Sequence, residues 1–105
     1  MTTIMIKHEE IYFSLEEICE RATIDIDTVI AFVDYGIVEP TGEIKETWQF
    51  SQQAYLRINK ALRLKNDLGL NNPGVALALE LMDNLQSLRD ELEVIKTHYQ
   101  IDLGK

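Results

Sequence analysis

Two histidines, one cysteine and two pairs of adjacent glutamates are the side chains whose types could carry chemistry. His8 and His98 are far apart in the sequence, and Cys19 has no second cysteine, so the ligand spacing of a metal site is missing. Neighbouring residues point in different directions on a helix or a strand, so Glu9-Glu10 and Glu16-Glu17 do not form catalytic dyads. The sequence therefore predicts no enzyme, no cofactor and no metal site, with Cys19 as a small apolar core residue.

The net charge of −8 lies entirely in the first half of this chain of 105 residues. Residues 1–50 hold eleven acidic and three basic side chains, whereas residues 51–105 hold seven of each. The first half should therefore repel nucleic acids and anionic membranes and attract basic protein surfaces. No apolar run approaches the ~20 residues of a membrane span. With no secretion pattern in residues 1–7 and a single cysteine, we expect a cytoplasmic protein.

The acidic half carries the start signals of two short helices, which together predict a helix-turn-helix. Ser14 and Glu17 form a capping-box pattern, so a first helix is expected over residues 15–21. Asp25 suits the cap of a second helix, which ends before Gly36. The apolar stripe expected to face the core is Ile26, Val29, Ile30 and Val33.

Short strands are expected on both sides of these helices. Isoleucines at positions 4, 6 and 11, together with Phe13, alternate with polar residues and predict one or two strands before Ser14. After the second helix, residues 37–40, a turn at Thr41-Gly42 and residues 47–50 predict a small hairpin, or wing.

Two longer helices are predicted for the remainder of the chain. The third covers residues 52–68, between a Ser51 cap and Gly69. Its apolar positions available to the core are Ala54, Ile58, Ala61, Leu62 and Leu68. The fourth takes Asn72 as its cap and Pro73 as its first residue, and continues to about residue 100. Its apolar positions form a heptad seam of Ala78, Leu81, Leu85, Leu88, Leu92, Ile95 and Tyr99, which a hairpin partner or a second protomer would bury.

The second helix has the wrong charge for reading DNA. A recognition helix needs polar or cationic side chains on base edges and cations on phosphates, but this helix holds Asp25, Asp27 and Asp34 and no basic residue. Its acidic face either meets a basic partner or is a solvated surface, and charge alone leaves both open. Phe32 and Tyr35 fall off the apolar stripe, so they are either exposed beside the aspartates, as in a binding hot spot, or packed against the wing.

One basic patch is predicted, on the third helix, from Arg57, Lys60 and Arg63. It is the only surface whose charge suits nucleic acid. Its expected role is to pair with the acidic half of the same chain or of a dimer mate.

The segment from Ser14 to Leu70 resembles the start of a MerR-family domain. The order of helix-turn-helix, Tyr35-Gly36-Ile37-Val38-Glu39-Pro40, wing and helix carries this resemblance. It implies a mainly α fold, with a MerR-like winged helix-turn-helix over residues 1–70, a small β wing, and a long C-terminal helix over residues 71–105 in one compact unit. MerR proteins grip DNA with arginines in the second helix, whereas the matching positions here are Ile30 and Asp34.

A closer resemblance, to the CbpM family of chaperone modulators, covers nearly the whole chain. It rests on Thr47-Trp48-Gln49-Phe50, Ala61-Leu62-Arg63-Leu64, Leu68-Gly69-Leu70 and the stretch from Pro73 to Asp83. Members of this family bind the J-domain of a DnaJ-like co-chaperone, CbpA, and block both its stimulation of Hsp70 and its DNA binding. The resemblance therefore implies an adaptor that inhibits a co-chaperone. A MerR-like transcription regulator that contacts DNA is the alternative.

J-domains present a strongly basic second helix, which an acidic helix flanked by aromatics could compete for. From charge and helix face, the predicted contacts with the partner are Asp25, Asp27, Phe32, Asp34, Tyr35 and Glu39. The resemblance also implies a homodimer built on the fourth helix, through Leu81, Leu85, Leu88, Leu92 and Ile95.

Overall fold

Four α-helices and one small sheet organise residues 11–99, the part of the chain that the computed structural model describes. The helices are α1 (Leu15–Ala22), α2 (Ile26–Asp34), α3 (Gln52–Leu68) and α4 (Asn72–His98). The strands are β1 (Tyr12–Ser14) and β2 (Gln49–Ser51), with a short 3-10 helix at Lys45–Thr47. This order confirms the predicted class, a mainly helical winged helix-turn-helix followed by a long C-terminal helix.

Side-chain caps begin three helices where they were predicted. At the start of α1, the Ser14 hydroxyl accepts a hydrogen bond from the Glu17 N–H (3.1 Å), and the Glu17 carboxylate accepts one from the Ser14 N–H (2.8 Å). The Asp25 carboxylate accepts from the Thr28 N–H at the start of α2 (3.0 Å), and the Ser51 hydroxyl begins α3 in the same way. Each cap satisfies a backbone donor that the helix itself leaves unpaired.

The cap of α4 lies one residue earlier than predicted. The Asn71 side chain accepts a hydrogen bond from the Gly74 N–H (2.9 Å), so Asn72 is the first helical residue and Pro73 the second. Both asparagines suit a cap by residue type. Asn71 is the cap because its side chain accepts a hydrogen bond from the N–H three residues ahead. Pro73 is tolerated because the N–H groups of the first turn have no partner within the helix.

The predicted pairing of the wing is wrong, because β2 pairs with β1. The two strands are antiparallel, with Phe13 opposite Phe50. Of the predicted hairpin only one bridge between Thr41 and Gln49 is present, with two N–H···O bonds of 3.0 Å. Ile37 and Val38 are buried in the core instead of alternating along a strand. The predicted strand positions 4 and 6 lie outside the described residues.

The predicted turn at Thr41-Gly42 is present and requires its glycine. Gly42 has a φ of +99°, and a Cβ at this position would lie 2.5 Å from the Thr47 carbonyl oxygen. Only glycine accepts both this conformation and this close approach. The turn brings the 3-10 helix at Lys45–Thr47 back toward the start of β2.

One core joins α1, α2, α3, both strands and the first turns of α4. Its largest fully buried side chains are Phe32, Phe50, Ile18, Ile37, Ile58, Leu79, Val29 and Val75. Leu68, predicted to be in the core, is 65% exposed. It lies in the last turn of α3, where residues 66–68 are all exposed because no described element packs over them. Cys19 is partly buried and packs against this core.

Beyond its first turns, α4 has no covering element among residues 11–99. Val75 and Leu79 are buried, but every residue from Glu80 to Tyr99 is exposed. Beyond Asp83, which pairs with Arg57 of α3, about 22 Å of helix stands free at 1.5 Å per residue. The seam positions from Leu81 to Tyr99 expose between 50% and 62% of their surface. No helix in the described part of the chain is long and apolar enough to cross a membrane.

Candidate partner-binding surface

The predicted partner contacts lie at the two ends of α2. Asp25 and Asp27 are at its start, whereas Asp34 and Tyr35 are at its end and Glu39 is in the loop that follows. The nine residues of α2 span about 13 Å between these two ends. A single partner element could therefore touch both groups only by lying along the helix.

Phe32 does not belong to this surface, and the expectation that it contacts a partner is corrected. Its side chain is fully buried, with 0% exposure, in the same cluster as Val29 and Phe50. Ile26, predicted to face the core, is 44% exposed. The buried face of α2 is thus centred on Val29, which belongs to the predicted stripe, and on Phe32, which lies beside it. Helical periodicity does not distinguish two adjacent apolar stripes, and the large Phe32 ring is the one that fills the core.

The outward face of α2 is acidic. Asp27, Ala31 and Asp34 are spaced four and three residues apart, so they lie on one side of the helix. Both aspartates are exposed, and neither takes part in an ion pair among residues 11–99. Tyr35, 49% exposed, stands at the end of the same helix. The helix that would read DNA therefore offers carboxylates and one phenol, with no cation.

Asp25 has a structural task in addition to its charge. Hydrogen bonds donated by the side chain and backbone N–H of Thr28 lower the pKa of the Asp25 carboxyl group. The carboxylate is therefore engaged in beginning α2. Burial is the largest cause that raises the pKa of the Cys19 thiol, and the carboxylates of Asp25 and Glu16 raise it further. A negative potential thus extends over the junction of α1 and α2.

A cleft of about 510 Å³ opens between the starts of α1 and α2 and the 3-10 helix. Leu15, Ile26 and Ile30 supply its apolar surface. Its charged lining consists of Glu16, Asp27, Lys45 and Glu46, all exposed. None of these residues was predicted as a contact except Asp27. The sequence signal that could have indicated this cleft is Ile26, an apolar residue at the start of an acidic helix that was assigned to the core.

A second, smaller cleft of about 290 Å³ lies at the other end of α2 and includes Glu39 and Arg57. The Arg57 Nε donates to the Ile37 carbonyl oxygen (2.6 Å), and its guanidinium forms an ion pair with Asp83 of α4 (3.1 Å). Arg57 thus bonds to a backbone carbonyl of the acidic half, whereas its ion pair is with an aspartate of the second half of the chain. Pairing of this patch with the acidic half of a dimer mate stays a prediction. Lys60 and Arg63 are exposed on α3.

Comparison with known proteins places this chain in a family. The family described as MerR HTH family regulatory protein matches residues 13–97. The "Chaperone modulatory protein CbpM" of Pseudomonas putida strain W619 is 41% identical over 86 residues, which are 82% of this chain and 85% of that protein. The chain belongs to the CbpM family.

Other CbpM proteins extend this relationship. The one from Pseudomonas entomophila strain L48 is 38% identical over the same shares of the two chains. The one from Escherichia coli O1:K1 / APEC is 33% identical over 84 residues, or 80% of this chain and 83% of its own. The predicted resemblance is therefore confirmed, and neither family description denotes an enzyme. Among residues 11–99 of this CbpM-family chain, no three His, Cys, Asp or Glu side chains are grouped as metal ligands.

Proposed function

We propose that this CbpM-family protein is a cytoplasmic, non-enzymatic adaptor that binds the J-domain of a CbpA-type, DnaJ-like co-chaperone and blocks its co-chaperone and DNA-binding activities. The printed names of the relatives support a chaperone-modulating role. The observation that carries the finer proposal is the outward face of α2, where Asp27 and Asp34 are exposed without ion pairs among residues 11–99. This face suits a basic helix and repels phosphate.

The mechanism is competition for one basic surface. The acidic face of α2 attracts the positive second helix of the J-domain and speeds the encounter, while apolar contacts slow dissociation. A J-domain held in this way cannot present the same helix to Hsp70. The proposed contacts are Asp25, Asp27, Asp34, Tyr35 and Glu39, and Phe32 supports them from the core.

The same proposal assigns different roles to the two parts of the chain. Residues 1–70 contain the binding unit, and residues 71–105 contain the dimerisation helix α4. The seam residues Leu81, Leu85, Leu88, Leu92 and Ile95 are all at least half exposed, and such a stripe is typical of a helix that pairs with a second copy. A homodimer would present two acidic faces.

Calorimetric titration with an isolated J-domain from the same cell, at low and moderate salt, tests the function. We expect binding that weakens as salt rises, because screening acts on exposed charge pairs. The absence of binding at both salt concentrations would contradict the proposal. Titration with labelled duplex DNA in parallel addresses the alternative, a MerR-like transcription regulator. Tight DNA binding without J-domain binding would favour that alternative.

A further inference from the structure

The larger cleft combines an apolar floor with charged walls that come from three separate elements. Leu15 at the start of α1 and Ile26 and Ile30 on α2 form the floor. Ile26 leaves 44% of its surface exposed although apolar neighbours on the same helix are buried. An exposed apolar surface ringed by polar groups is typical of a protein interaction site.

The charges of the cleft are strongly unbalanced. Glu16 of α1, Asp27 of α2 and Glu46 of the 3-10 helix line it, and Lys45 is the only cation in its lining. In the described part of the chain, none of these three carboxylates has an ion-pair partner. The effect of Glu16 and Asp25 on the Cys19 thiol reflects the same negative potential nearby. The cleft therefore attracts cations and repels phosphate groups.

The smaller cleft at the opposite end of α2 is less suited to a basic partner. The Arg57 guanidinium lines it, held by the Ile37 carbonyl oxygen and by Asp83. This fixed cation would repel an incoming lysine or arginine. Of the two groups of acidic residues on α2, the one at its start thus has both the apolar floor and the favourable charge.

We infer that the cleft formed by Leu15, Ile26 and Ile30 receives one aliphatic side chain from a basic protein segment, whose flanking lysines or arginines pair with Glu16, Asp27 and Glu46. The buried aliphatic group supplies the contact that excludes water, and the charge pairs at the rim set orientation and encounter rate. Because the basic segment belongs to the partner of the proposed function, the inference rests on that function and locates its main contact at the start of α2.

Two substitutions, one in the apolar floor of the cleft and one in its charged wall, test the inference. Ile26→Ser removes part of the apolar floor from α2, and Glu46→Lys reverses a charge on the 3-10 helix, away from the core. Leu68→Ser and Asp67→Lys are the matched controls, because both residues are exposed at the end of α3 and line neither cleft. We expect about tenfold weaker binding for each cleft variant, because each loses one contact at the centre of the interface, and unchanged binding for both controls.

Two probes separate failure of the inference from failure of the proposed function. One is the isolated J-domain. The other is a synthetic helical peptide with a single leucine flanked by lysines, compared with the same peptide carrying serine in place of leucine. Calorimetry gives the affinities, and the thermal midpoint of each variant verifies that it is folded.

Each outcome has a defined meaning. Weaker binding of the J-domain by both cleft variants, with preference for the leucine peptide, supports the inference. J-domain binding that neither cleft variant weakens would overturn the inference and leave the proposed function intact. Cleft-dependent binding of the leucine peptide without J-domain binding would refute the function and support the cleft. Binding of neither probe, or cleft-dependent binding of duplex DNA instead, would overturn both.

Discussion

Residues of α2 and its cap have different tasks: some build the helix, some can meet a partner, and Asp25 is proposed to do both. Phe32 and Asp25 were both expected to contact the partner, yet Phe32 fills the core and Asp25 caps the helix. Asp27 and Asp34 have no such task among the described residues. The consequence is that substitutions at these four positions should have different effects on stability and binding.

Replacing Phe32 with alanine should destabilise the fold. The ring is fully buried, so its removal leaves a cavity and costs about 3–5 kcal/mol in the free energy of unfolding. Urea denaturation followed by circular dichroism measures the loss. Tyr35→Ala serves as the control, since Tyr35 is half exposed and should lose far less stability. Equal losses for the two variants would contradict the burial of Phe32.

The Asp25 cap should make stability depend on pH in the acidic range. Hydrogen bonds from Thr28 lower the pKa of this carboxyl group in the folded state, so the unfolded chain binds its proton more readily. The cap therefore stabilises the protein above the unfolded pKa, and this contribution is lost as pH falls through the lowered folded pKa. Asp25→Asn retains a capping side chain but does not titrate. We expect its unfolding midpoint to fall less steeply than that of the wild type on acidification, measured by thermal denaturation at a series of pH values. Parallel curves would show that Asp25 makes no such contribution.

At the scale of the element, α2 acts as a charged face on a rigid support. Its outward aspartates are seven residues apart and its inward side is anchored by Val29 and Phe32. The anchoring fixes the direction of the acidic face. Because Asp25 begins the helix, charge-reversal experiments should leave it unchanged and use the other two aspartates.

Reversing Asp27 and Asp34 to lysine should weaken J-domain binding by about tenfold or more and reduce its salt dependence. Each substitution replaces an attraction by a repulsion at a basic partner surface. A control carrying Asp67→Lys and Asp90→Lys makes the same change in net charge away from α2. Calorimetric titration at two salt concentrations provides the comparison. If both double variants weaken binding equally, net charge and not the α2 face determines affinity.

At the scale of the whole molecule, the unburied length of α4 is the dominant feature. Its first turns complete the core through Val75 and Leu79, and the Arg57–Asp83 pair holds the next turn to α3. Beyond that point, the described chain offers no cover for the leucine seam. A second protomer is the occupant that we propose for this seam.

Replacing Leu88 and Leu92 with glutamate should convert the proposed dimer into folded monomers. Both side chains are more than half exposed and lie outside the core, so the winged helix-turn-helix should remain folded. Size-exclusion chromatography with light scattering measures the mass, and circular dichroism verifies the fold. Val94→Glu is the control, because Val94 is 60% exposed but lies off the seam. A dimer that persists in the double variant would rule out this seam as the interface.

Local signals in the sequence determined where most elements begin and end. The Ser14–Glu17 capping box, the Asp25 cap and the Ser51–Gly69 pair predicted the starts of α1 and α2 and both ends of α3. These signals are hydrogen bonds or backbone conformations that span three or four residues, so they act wherever the segment lies. The acidic character of the first half is likewise a property of composition alone.

Only the tertiary structure decided which surfaces those elements present. Three of these choices depend on residues that are distant in sequence. They are the pairing of β2 with β1, the burial of Phe32 in place of Ile26, and the bonds of Arg57 to Ile37 and Asp83. Such choices depend on which side chains fill a shared core best, and periodicity within one helix does not contain that information. The cleft beside α2 is a consequence of the same packing, because turning Phe32 inward leaves Ile26 at the surface.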